Sequence, residues 1–150
     1  MKYSVVAAAF CVATAGVAQA EAVKPMSVSF TDGAVENSLS GQAGDAVEGR
    51  KVFMNRKLGN CLACHANADM PEQPFHGEVG PPLDGVGERW TVAELRGIVA
   101  NSKEMFPDTI MPSFYRDTGY TRILEKFDGK SILSAQQVED VVAYLLTLQE

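Results

Sequence analysis

The chain has 150 residues, of which 46% are hydrophobic and 21% charged, and its formal net charge is −6. This is an ordinary globular composition. The acidic balance argues against nucleic acid and against anionic membrane surfaces as partners.

Residues 1–20 read as a secretory signal peptide. Lys2 gives a short positive start, Val5 to Val17 is apolar and rich in small residues, and Ala18-Gln19-Ala20 is an Ala-x-Ala cleavage site. The stretch is too short and wrongly flanked for a membrane span. Cleavage after Ala20 leaves about 130 residues, the size of one domain. Cys11 departs with the signal, so Cys61 and Cys64 are the remaining thiols. The expected location is the periplasm.

Residues 21–44 form an N-terminal extension with no helical period. Val28, Phe30 and Val35 are scattered among Ser, Thr, Gly and Asn. Ser27 to Phe30 is a candidate short strand. The extension is either a loose terminus or a segment that lies across a partner subunit.

The main domain is expected over residues 45–150. Asp45-Ala46-Val47-Glu48 has the form of a capping box, and Ala46, Gly49, Arg50 and Phe53 share one side of the helix it would start. A glycine inside a helix costs about 1 kcal/mol relative to alanine. Gly49 therefore predicts a close helix crossing.

Cys61-Leu62-Ala63-Cys64-His65 comes next. Cys-x-x-Cys-His is the attachment signal for c-type haem. Its two thiols form thioethers with the haem vinyl groups, and the histidine is the proximal iron ligand. A thioredoxin-type thiol pair needs a βαβ setting that this chain lacks. A zinc site needs a fourth ligand, for which only His76 is available.

Residues 67–78 read as a loop, then comes Gly80-Pro81-Pro82-Leu83-Asp84-Gly85-Val86-Gly87. A proline carbonyl there is placed to accept from Nδ1–H of His65, which would fix the tautomer and strengthen the iron donor. Trp90 is either a core aromatic or a donor to a haem propionate. Thr91-Val92-Ala93-Glu94 is a capping box, and Leu95, Ile98 and Val99 continue a helix to about Asn101. After a loop containing Ile110-Met111-Pro112, a last helix is capped by Ser134 and Gln137. Its apolar residues Val138, Val141, Val142, Leu145 and Leu146 share one face. Tyr144 is expected to pack on Gly49 and Phe53.

A low-spin electron-transfer haem needs a sixth ligand. The candidates are Met54, Met70, His76, Met105 and Met111. Met70 is too close to His65 to pass round the ring edge, and Met54 lies in the first helix. His76 would make a bis-imidazole pair of low potential. Met111 has the best reach across the haem, with Met105 second. A thioether donor raises the potential.

Gly49, Phe53, Cys61-x-x-Cys64-His65, Gly80-Pro81-x-Leu83-x-Gly85, Met111-Pro112 and the Tyr144-Leu145 helix together resemble class I cytochrome c. The resemblance implies an all-α fold wrapped around one covalent haem c. The stretch from Pro107 to Arg116, with Gly129-Lys130-x-Ile132-Leu133-Ser134 and Gln137 to Leu145, resembles more narrowly the SoxX family of bacterial thiosulfate oxidation. That resemblance implies thioethers at Cys61 and Cys64, with His65 and Met111 as the axial pair. It gives His76 no role.

The same resemblance implies a SoxA-like partner that carries the active-site haem, so that no catalytic residue lies on this chain. It implies that the complex, an L-cysteine S-thiosulfotransferase, joins thiosulfate oxidatively to a cysteine of a SoxYZ-like carrier. Electrons would pass through this chain to a downstream cytochrome c. Two other classes compete: a free electron shuttle and a haem gas sensor.

Overall fold

The computed structural model describes residues 21–150, and the expected signal peptide lies outside them. The regular structure of the described residues is helical, with one isolated bridge between Thr31 and Ala34. Four α-helices carry it: α1 (Ala46–Met54), α2 (Val86–Arg89), α3 (Val92–Asn101) and α4 (Ala135–Leu145). None of the described helices is long and apolar enough to cross a membrane.

Each long helix starts where its side chains can cap it. Thr91 accepts from the Glu94 N–H while the Glu94 carboxylate accepts from the Thr91 N–H, the reciprocal box expected there. Ser134 and Gln137 do the same for α4. Asp45 caps α1 by accepting from Val47 and Glu48 N–H groups. The reciprocal half differs from expectation, because the Glu48 carboxylate pairs instead with Lys51 at 2.6 Å.

α1 and α4 cross in close contact. A Cβ on Gly49 would overlap the Asp140 carbonyl oxygen, so only glycine lets the two backbones approach this far. One turn on, the rings of Phe53 and Tyr144 meet edge to face at 5.4 Å. Val138, Val141, Val142 and Leu145 continue the apolar face of α4 into the core with Leu95 and Val99 of α3. Burial of a Val- or Leu-sized side chain contributes about 1.5–3 kcal/mol, so each member of this cluster adds to the stability of the α3–α4 contact.

The N-terminal extension departs from two of the expectations for it. The candidate strand at Ser27 to Phe30 does not form, a 3₁₀ turn lies at Pro25–Ser27 beside the Thr31–Ala34 bridge, and the segment is not a loose terminus. Val35 and Leu39 are buried in the domain's own core. Val35 N–H donates to the Ala93 carbonyl at 2.9 Å and Leu39 N–H to the Glu139 carboxylate at 2.7 Å.

A buried ion pair secures that contact. Arg96 and Glu139 are 6% and 5% exposed. Arg96 Nε donates to both Glu139 oxygens, at 2.9 and 3.1 Å, and Nη1 donates to the Val35 carbonyl at 2.7 Å. A buried pair is tolerable only when its remaining valences are met, as the extension's backbone does here. The extension thereby braces α3 against α4.

Candidate haem-binding site

Cys61, Leu62 and Ala63 form a 3₁₀ turn. Its tight rise brings Cys64 N–H and His65 N–H onto the same Cys61 carbonyl, at 3.1 and 3.0 Å. Both cysteines and His65 therefore project from one compact turn, and all three are half-buried. Burial pushes the Cys61 thiol up to about 12. A thiol that resists ionisation is a poor redox nucleophile, which argues against a thioredoxin-like role.

The chain then folds back along the turn. Gly77, Gly80 and Leu83 donate their N–H groups to the carbonyls of Leu62, Cys64 and Ala66, at 2.8, 2.8 and 3.0 Å. This return segment delivers the Pro81 carbonyl to 2.7 Å from Nδ1 of His65. A carbonyl only accepts, so Nδ1 carries the hydrogen and Nε2 is left with its lone pair free. That is the tautomer an iron ligand needs. Gly80 lies against the same imidazole, and a Cβ there would overlap the ring.

His76 is taken up elsewhere. Its Nδ1 accepts from Asn67 N–H at 3.2 Å, and its Nε2 lies 3.1 Å from the Met70 carbonyl, to which it donates. With both nitrogens engaged on backbone, His76 offers no free lone pair to an iron or a zinc ion in this arrangement. Asn67, fully buried, also donates to the Tyr144 hydroxyl at 2.8 Å, which in turn donates to Asp69 at 2.8 Å. Burial, and then this bond to Asp69, push the Tyr144 hydroxyl above its ordinary range. Arg50 of α1 closes the network on Asp69 and Glu72, at 3.3 and 2.9 Å. The segment after His65 is thus hooked to the α1–α4 crossing.

The methionines separate by burial. Met70 is 0% exposed and is core. Met54, half-buried on α1, takes a contact from Gln73 at its sulfur. Met105 packs against Gly33 of the extension. Met111 lies on the strap that leaves the end of α3, half-buried and packed against the core. Trp90 stacks edge to face on Phe106 at 6.0 Å.

These residues fit a large flat apolar cofactor. The only nitrogen of His65 not claimed by protein is the one a metal would take. Apolar side chains stand in solvent beside both candidate ligands: Val79, next to Gly80, is 66% exposed, and Ile110, next to Met111, is 79% exposed.

Residues 46–149 match the cytochrome c family. The chain belongs to that family. A chain in the crystal structure of SoxXA from P. pantotrophus is similar to this cytochrome at 48% identity, with a TM-score of 0.81. The match covers 86% of this chain and 99% of that one. The c-type cytochrome SorU from Sinorhizobium meliloti shows 25% identity and a TM-score of 0.46, over 69% of this chain and 90% of that one. No curated protein sequence matches the chain. The fold is that of a class I cytochrome c, and the Cys61-x-x-Cys64-His65 signal fits one covalent haem c.

Sequence reasoning found the motif turn, a proline acceptor for His65, which the structure shows to be Pro81, and the loop that carries Met111. It missed what holds that strap. Ser102 and Lys103 carry no signal in their own types or spacing that marks them as its donors.

Proposed function

We propose that this cytochrome is the SoxX-type electron-accepting subunit of a SoxXA-like complex. The likeness to a SoxXA chain over almost the whole of that chain's length carries the reading. In it, Cys61 and Cys64 form the thioethers, His65 binds iron through Nε2 and Met111 binds through sulfur. The bound haem supplies a one-electron couple. Pro81 holds the His65 imidazole in its donor tautomer, and the Met111 thioether favours the reduced state more than a second imidazole would. A haem held by both His65 and Met111 would be suited to passing electrons rather than binding gases.

The reading assigns the chemistry to the partner. Once Cys11 leaves with the signal, no thiol remains here outside the haem motif. A SoxA-like subunit would supply the active-site haem, with thiosulfate joined to a cysteine of a SoxYZ-like carrier. The electrons would leave through this chain to another cytochrome c in the periplasm.

Affinity capture of the tagged chain from the periplasm of its native host, with haem staining of the co-purifying chains, tests the proposal. A stable companion carrying its own haem is expected. Elution as a lone monohaem chain would favour the free shuttle instead.

A further inference from the structure

The carbonyl oxygen of Met111 accepts two side-chain donors from the turn that ends α3. Ser102 Oγ–H donates to it at 3.0 Å, and the Lys103 ammonium donates to the same oxygen. Lys103 also reaches the Thr109 carbonyl at 3.3 Å, and Met111 N–H donates to the Thr109 hydroxyl at 3.2 Å. Ser102 is fully buried. Its own carbonyl is occupied by Met105 and Phe106 N–H groups, at 3.3 and 2.9 Å, so the turn that presents its hydroxyl is itself held. Beyond the strap, Ser113 donates to Asn101 at 2.5 Å and Tyr115 N–H to the Ala100 carbonyl at 2.9 Å. The anchors of the strap at Met111, at Ser113 and at the Tyr115 N–H therefore lead to one place, the C-terminal end of α3 and the turn after it.

We propose that Ser102 and Lys103 are positioning residues for the sixth ligand: by gripping the Met111 carbonyl they keep its sulfur at the iron. The proposal rests on Met111 being that ligand. A ligand on a strap is in equilibrium between bound and released forms. An external ligand sees only the released fraction, so its apparent affinity rises in proportion to that fraction. Loss of one hydrogen bond changes such an equilibrium by about fivefold, and a charged one by more. Neither residue touches iron, so neither is expected to affect haem attachment.

The test is imidazole binding to the oxidised, haem-loaded protein, monitored by absorption. Ser102→Ala with Lys103→Leu is expected to tighten apparent imidazole binding at least tenfold and to weaken the sulfur-to-iron band near the red edge. Lys103→Leu alone, at a partly exposed position that keeps the fold, is expected to give more than half of that effect on a logarithmic scale. Lys103→Arg, which keeps a charged donor, is expected to stay within about twofold of the parent. A purely structural role would lower the melting temperature and leave imidazole affinity unchanged. Imidazole affinity within about twofold of the parent in the double variant overturns the inference, as does an equal change in Lys103→Arg. Met111→Ala separates the two claims. If that variant keeps the band, Met111 is not the ligand and the underlying reading fails. If it loses the band while the double variant behaves as the parent, only the clamp fails.

Discussion

The His65 side of the site and the Met111 side are held by different kinds of bond. On the His65 side the return segment is tied to the motif turn by backbone-to-backbone bonds. Leu62, Cys64 and Ala66 carbonyls are taken in turn by Gly77, Gly80 and Leu83, and the imidazole is fixed by a carbonyl of Pro81. Such bonds depend little on which side chains are present. On the Met111 side the ligand's own carbonyl is held by side chains, those of Ser102 and Lys103 in the turn after α3, the helix that the N-terminal extension steadies. One side is therefore vulnerable to added bulk, the other to the removal of a polar group.

The largest effect breaks the His65 side chemically. Cys61→Ala with Cys64→Ala should abolish haem retention on a denaturing gel, and circular dichroism should report a poorly folded chain. Next comes the bracing of the Met111 side. Arg96→Met leaves the buried Glu139 carboxylate unpaired and should cost about 3–5 kcal/mol in chemical denaturation, while haem stays covalently attached. Haem loss in that variant would mean that the two sides are not independent. A smaller effect is expected from Gly80→Ala, whose methyl would overlap the His65 ring. Overpacking of this kind costs about 1–3 kcal/mol. It should also shift the absorption maxima of the reduced haem, whereas a surface glycine change such as Gly129→Ala should not.

The smallest effect concerns the start of α3. The Glu94 carboxylate is held below its ordinary value of 4.5 by the Thr91 N–H and hydroxyl. A depressed carboxylate contributes stability that is present above its ordinary value and is lost as pH falls through the folded one. The melting temperature should therefore gain an acid-side slope below about pH 4.5 that Glu94→Gln reduces without abolishing the cap. An unchanged slope would show that the charge on Glu94 adds no stability to the α3 cap.

What was legible in the sequence was local or was forced by a single residue type. The caps at Thr91 and Ser134 join residues three apart, so their letters suffice. Gly49 implied the close crossing because a glycine inside a helix needs a reason. Cys61, Cys64 and His65 carry their chemistry in their spacing, and the Gly-Pro stretch supplied the acceptor for His65. The extension was illegible because its partners are remote: Leu39 bonds a residue 100 positions away. α2 was missed because four residues, with Gly85 before them and Gly87 among them, show no period. Ser102 and Lys103 look like any polar pair after a helix until the strap is seen to return to them.

The most direct test of the two-sided account is the red-edge absorption of the oxidised Met111→Ala protein, recorded beside the parent with covalent haem verified by mass. The account predicts that the parent shows the weak sulfur-to-iron band and that the variant lacks it while still carrying its haem. A variant that retains both haem and band would contradict it, because the iron would then take its sixth ligand from elsewhere in the chain.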